Sequence, residues 1–128
     1  MQQLQYEASW NKALSAHDRC LIEKIFNETK GQKTSGVLFI PIRKSINYKN
    51  ELLVTVLVHN FTDTILTFHN TRLVYSTHEK VVAEKEFTLP ALTILPNVSM
   101  PWTFIFSKND YKQEALNNEN GQLQFNDR

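Results

Sequence analysis

The chain has 128 residues, 41% hydrophobic and 21% charged, which suits one domain with one core and excludes a wholly disordered chain. A formal net charge of +1 excludes the strongly basic surface of a general nucleic-acid binder, and a single cysteine, Cys20, excludes an intramolecular disulfide. The opening Met1-Gln-Gln-Leu-Gln-Tyr-Glu has no basic start and no apolar run, and no lipidation signal is present. The longest apolar run, Leu52 to Val58 with Thr55 inside it, is far too short to span a bilayer, so the expectation is a cytoplasmic protein with no membrane insertion.

Residues 1–14 read as an N-terminal arm or marginal helix, polar with Leu4, Tyr6, Trp10 and Leu14 scattered through it. Trp10 is expected to dock against the rest of the chain, because an indole is costly to leave in water. A helix is predicted over 15–30. Ser15 is its N-cap, Asp18 approximates a capping box, and Gly31 suits a stop. Cys20, Leu21, Ile22, Ile25 and Phe26 form its apolar side, which places Cys20 among buried residues as an inert small hydrophobe.

From residue 36 the period changes to two. Val37 to Asn47 is a predicted strand whose Pro41 implies an edge or a bulge. The turn Asn47-Tyr48-Lys49-Asn50 leads into Leu52–Val58, apolar on both faces and so a central strand covered on each side. Asn60 to Asp63 turns the chain into a strand from Ile65 to Tyr75, interrupted at His69-Asn70-Thr71 by a bulge or crossing. Thr77-His78-Glu79 is the next turn. Val81 to Phe87 alternates, with Val81, Ala83 and Phe87 on one face and Leu89-Pro90 closing the strand. Pro101 to Phe106 is the last predicted strand, with Trp102, Phe104 and Phe106 on the core side. The tail 111–128, rich in Asn, Gln and Glu, reads as mostly loose. Several short strands with turns between them predict a mainly β fold: an antiparallel, immunoglobulin-like β-sandwich of about six to seven strands with one N-terminal α-helix, spanning 15–110.

No catalytic constellation is complete. Glycines at 31, 36 and 121 make no phosphate loop. The histidines, His17, His59, His69 and His78, lack the close spacing of a metal-binding helix, although His59 and His69 sit on strands that are able to neighbour one another. Glu84 and Glu86 share one strand face and read as its polar side. Sequons at Asn27, Asn60 and Asn97 are not expected to be glycosylated without a signal peptide. Residues 31–50 carry Lys33, Arg43, Lys44 and Lys49 and no acid, which is a solvated strand edge or a patch for an acidic partner.

Four stretches resemble the SLAP domain. They are Ser99-Met-Pro-Trp-Thr-Phe-Ile-Phe106; Asp18-Arg19 with Ile22 and Phe26; Phe39-Ile-Pro-Ile-Arg43 with Asn47-Tyr-Lys49; and Leu52–Val58. Ala83, Phe87, Leu89 and Pro90 fit as well. The resemblance covers about residues 14–107. That domain occurs, often duplicated, in the S-layer assembly protein of the accessory Sec system of bacilli. The resemblance implies a non-enzymatic role near protein export or surface-layer assembly, with no cofactor and no catalytic residues. The expectation is therefore a protein-interaction module. A homodimer through an exposed edge strand is a variant of it, and a small-ligand or metal-binding sandwich with enzymatic activity is the alternative. The candidate interaction surface is Arg43, Asn47, Tyr48 and Lys49. Arg43 either locks the fold through a carboxylate or faces a partner.

Overall fold

The computed structural model describes residues 2–32, 35–77, 80–112 and 121–126. The elements in chain order are β1 (Gln3–Leu4), α1 (Ala8–Ala13), α2 (Ala16–Thr29), β2 (Val37–Ile46), β3 (Leu52–Asn60), β4 (Leu66–Thr77), β5 (Lys80–Ile94), β6 (Val98–Phe106) and β7 (Gln122–Phe125). The strands form a sheet of order β1-β6-β3-β2 and a second of order β5-β4-β7. Two expectations are corrected here. The described residues form two helices, because the arm carries α1 as well as a strand. The pairing is also not wholly antiparallel, because β1 runs parallel to β6, donating from Gln3 and Gln5 to Asn97 and Ser99.

The two sheets share one core, and β3 explains why. It lies between β2 and β6, and its alternate residues Leu52, Val54, Val56 and Val58 face the second sheet. There they meet Phe68, Leu73 and Tyr75 of β4, Phe87 and Leu92 of β5, and Leu123 of β7. Phe104 is the hub of this core, edge-on to both Phe39 and Phe87 with centroids 6.1 and 5.3 Å away. On the other face of β3, Leu57 is fully buried beneath Ile22 and Phe26 of α2. The run from Leu52 is apolar on both sides because one side belongs to the core between the sheets and the other to a helix.

Irregularities sit where the sequence disfavours a regular ladder. Pro41 lies on edge strand β2, and the register slips between Pro41 and Arg43. The expected break in β4 is a shift between Phe68 and Thr71, with Asn70 left-handed at φ 51° and its N–H donating to Thr88 Oγ1. In β5 a second slip opposite Tyr75–Ser76 turns Val82 and Ala83 inward and leaves Val81 exposed. The single face of Val81, Ala83 and Phe87 is therefore corrected. Leu89-Pro90 does not close β5, which continues through a further shift to Ile94. The tail is corrected too: Gln122–Phe125 pairs with β4 and buries Leu123. Gly121 enters that strand where no side chain fits, since a Cβ there would lie 2.6 Å from Ser76 O. The turn at His78-Glu79 and the tail residue Leu116 lie outside the described residues.

Ser15 caps α2 as its sequence predicts, its Oγ accepting from Asp18 N–H at 3.0 Å. Ile22 and Phe26, one turn apart, are the buried pair of this helix. Burying two such side chains contributes about 3–6 kcal/mol to holding the helix on the sheet. Cys20 lies on the exposed side, a correction: it sits two positions before Ile22, which turns it away from the sheet. Gly31 is not a left-handed stop, because no described glycine has positive φ. Trp10 of α1 docks as expected, stacked on Trp102 at 6.3 Å.

Candidate protein-binding surface

The outer face of the four-stranded sheet is covered along half its length. Register aligns four rows across β2, β3 and β6: Leu38-His59-Ser99, Ile40-Leu57-Pro101, Arg43-Thr55-Thr103 and Ser45-Leu53-Ile105. The first two rows lie under α2 and the arm. The third is the boundary, and the fourth is open.

The covered half is tied down by a polar chain that is buried at its centre. Gln2 Nε2 donates to Ser99 Oγ at 3.0 Å, and Ser99 Oγ lies 2.5 Å from His59 Nδ1. His59 Nε2 lies 2.7 Å from Thr29 Oγ1, which donates to Ile25 C=O. Only one proton arrangement satisfies every member. Thr29 gives its proton to Ile25, so it accepts from Nε2–H, and Nδ1 then accepts from Ser99. His59 is neutral in this network, and burial pushes its pKa down from 6.5 to about 4. A serine touching a histidine is also how a nucleophile pair is built. Here Ser99 and His59 are both 0% exposed, and Phe26 and Phe61 flank the ring, so the pair fastens arm, helix and sheet together. The pairing of His59 with His69 that the strands allowed is absent: His59 is buried in one sheet, and His69 is exposed on β4 of the other. Both His59 nitrogens are engaged, and the described residues contain no cluster of three metal-ligating side chains.

At the boundary row, Arg43 Nη2 donates to Asp18 Oδ1 at 2.8 Å, joining β2 to α2. That hydrogen bond holds the Asp18 carboxyl below the usual carboxylate range. Thr55 and Thr103 bond each other beside it at 2.9 Å. A cleft of about 250 Å³ opens here, lined by Trp10, Leu14, Ile22, Ile42, Arg43 and Leu53 among others. Beyond it Ile105 is 40% exposed, and Ile46 at the end of β2 is 41% exposed.

The sequence-chosen residues separate by role. Arg43 bridges helix and sheet. Asn47 builds the β2–β3 turn, its Oδ1 accepting from the N–H groups of Lys49 and Glu51 and its Nδ2 donating to Glu51. Tyr48 is 90% exposed at the tip, with Lys49 Nζ 5.8 Å from its ring centroid. Lys33 of the basic stretch lies outside the described residues. Thr103 of the boundary row and Leu53 and Ile105 of the open row were not singled out from sequence. Their outward phase is legible in the Trp102–Phe106 alternation, but their lack of a cover is not.

These features define a mainly β chain of two sheets with a partial helical cover on one outer face. The family model of the SLAP domain matches residues 4–127, and the chain belongs to that family. The match takes in the arm from Leu4 onward and the tail with β7. No curated protein and no solved structure gives a significant match. Among the described residues no helix is long and apolar enough to cross a membrane.

Proposed function

We propose that this chain is a non-enzymatic protein-binding module of accessory Sec export or surface-layer assembly, engaging its partner through the open half of the outer face. The observation that carries the reading is the uneven cover: helices bury Leu57 and His59, while the adjacent Leu53 and Ile105 row has none. Exposed apolar groups beside a cleft, with an aromatic at a projecting tip, are the makings of an interface. The export context comes from the SLAP domain family. The finer reading of the fold is an immunoglobulin-like sandwich. The orders β2-β3-β6 and β5-β4-β7 match the A-B-E and C′-C-F strands of that plan. The plan's last strand, beside β7, has no counterpart among the described residues.

Affinity capture from the native cell tests the function, using the wild-type chain and an Ile105→Glu/Tyr48→Ala variant. Recovery of an export or surface-layer component by the wild type and its loss with the variant is the expected result. Equal recovery by both would move the surface elsewhere, and recovery of no such component would remove the functional context.

A further inference from the structure

The sheets end in edges, and most of these are protected against pairing with another chain. β1 is two residues long, and the β6 edge beyond it carries Pro101 and a bond from Lys85 Nζ to Ile105 C=O. β2 carries Pro41 and the adjoining bulge. β5 is covered where Glu84 N–H donates to Asp110 C=O and Lys112 N–H donates to Val82 C=O, and it carries Pro90 further on. β7 differs. Its sequence Gln122-Leu-Gln-Phe125 has no proline, no charge and no bulge.

The polarity of that edge is fixed by its ladder. Asn126 N–H donates to Arg72 C=O, so Gln122 and Gln124 also turn their backbone groups toward β4. Leu123 and Phe125 turn theirs away. Among the described residues one group meets this outward row: Gln122 Nε2 donates to both Leu123 C=O and Phe39 C=O, at 3.0 Å each. Beside the row, between β7 and β2, runs a groove of about 290 Å³ lined by Val37, Leu38, Phe39 and Gln122–Phe125, with no charged residue. Half-buried Phe125 lies against Phe39 in it, centroids 5.2 Å apart.

We propose that the β7 edge accepts an extended segment of a partner protein, which pairs as a further strand and sets an apolar side chain into the groove. The backbone row supplies the hydrogen bonds of strand addition, and the groove supplies a side-chain pocket at every second position. The uncharged lining selects an uncharged occupant, because a charge there would be desolvated without a partner. A second copy of this chain fits less well. Its Leu123 is already 1% exposed within its own core, so pairing β7 with β7 brings backbone but no side chain for the groove.

The test fuses a strand of about seven residues, valine alternating with threonine, after Arg128 through a Gly-Ser linker, so that the strand is present at high local concentration. The control fusion has proline at alternate positions. Amide exchange at Leu123 and Phe125 is read beside that at Val54 and Val56, which report an intact fold in every version. The expected result is slowing of the Leu123 and Phe125 amides by on the order of tenfold in the valine fusion and none in the proline control. The same alternating peptide added in trans to the unfused chain repeats the test if the fusion does not fold. Unchanged exchange with the strand present overturns the proposal. Protection in the unfused chain that grows with concentration, alongside dimer mass, overturns it in favour of a second copy. Ile105→Glu leaves this readout unchanged, so its outcome is separable from that of the outer-face surface.

Discussion

Acidification from pH 7 toward pH 5 drives a proton onto His59, where the fold disfavours the charge. Its neutral form is built into the chain from Gln2 to Ile25, and protonation of Nδ1 would turn the acceptor for Ser99 into a second donor. The folded pKa is about 4 and the ordinary value 6.5, so the unfolded chain binds the proton more readily. Stability from this group is therefore fully present above pH 6.5 and is lost progressively as the pH falls to about 4. The two values give a loss of about 2 kcal/mol at pH 5 and about 3 kcal/mol at pH 4. The described His17 and His69 are exposed. Glu7 and Asp18, held low chiefly by side-chain hydrogen bonds from Ser9 and Arg43, act only below the window between pH 5 and 7. Urea unfolding at half-unit pH steps measures the slope, and His59→Gln removes the titrating group while keeping a donor and an acceptor. The wild type is expected to lose stability across pH 6.5 to 5 and the variant to stay nearly flat. An equal acid loss in both would refute the assignment of the effect to His59.

Asn60→Ala is expected to destabilise the fold by about 2–4 kcal/mol in urea melts. Its buried amide donates to the carbonyls of Thr64, Ile94 and Leu95 while its Oδ1 accepts from Thr62. Gly121→Ala should lower the thermal midpoint and raise exchange at Gln124, whose N–H faces β4, since the new Cβ would press on Ser76 O and the Tyr75 ring. Arg43→Ala, which breaks an ion pair whose side chains are 50% and 31% exposed, is expected to change stability by less than about 1 kcal/mol and to speed exchange in the first turn of α2. Tyr48→Ala should leave the melt unchanged and weaken capture of the partner, because the ring is exposed at the turn's tip.

The long elements were legible because each has a local cause. Ser15 announces α2, Pro41 announces an edge, and the double-sided apolar run announces β3. The short elements were not. β1 has two residues, and β7 alternates glutamine with two apolar residues inside a polar tail, so neither is strong enough by itself to reveal pairing. The inward turn of Val82 depends on a register slip opposite Tyr75–Ser76, which no alternation within β5 encodes. The bond between His59 and Ser99 spans 40 residues, and Asn60 read as part of a sequon when it is a buried fastener of two connections. At the surface, the sequence located the exposed tip at Tyr48 and Lys49 and offered two readings of Arg43. The open row of Leu53 and Ile105 depends on where α2 ends its cover, which is tertiary information.

The central claim is that a partner protein sits on the open half of the outer face. Photocrosslinking in the native cell tests it most directly, with the crosslinker placed at Ile105 on that face or at Val81, which is at least as exposed on the other sheet. A discrete adduct with an export or surface-layer protein from position 105 and none from 81 is the expected result. An adduct from 81 alone, or none from either position, would contradict the account.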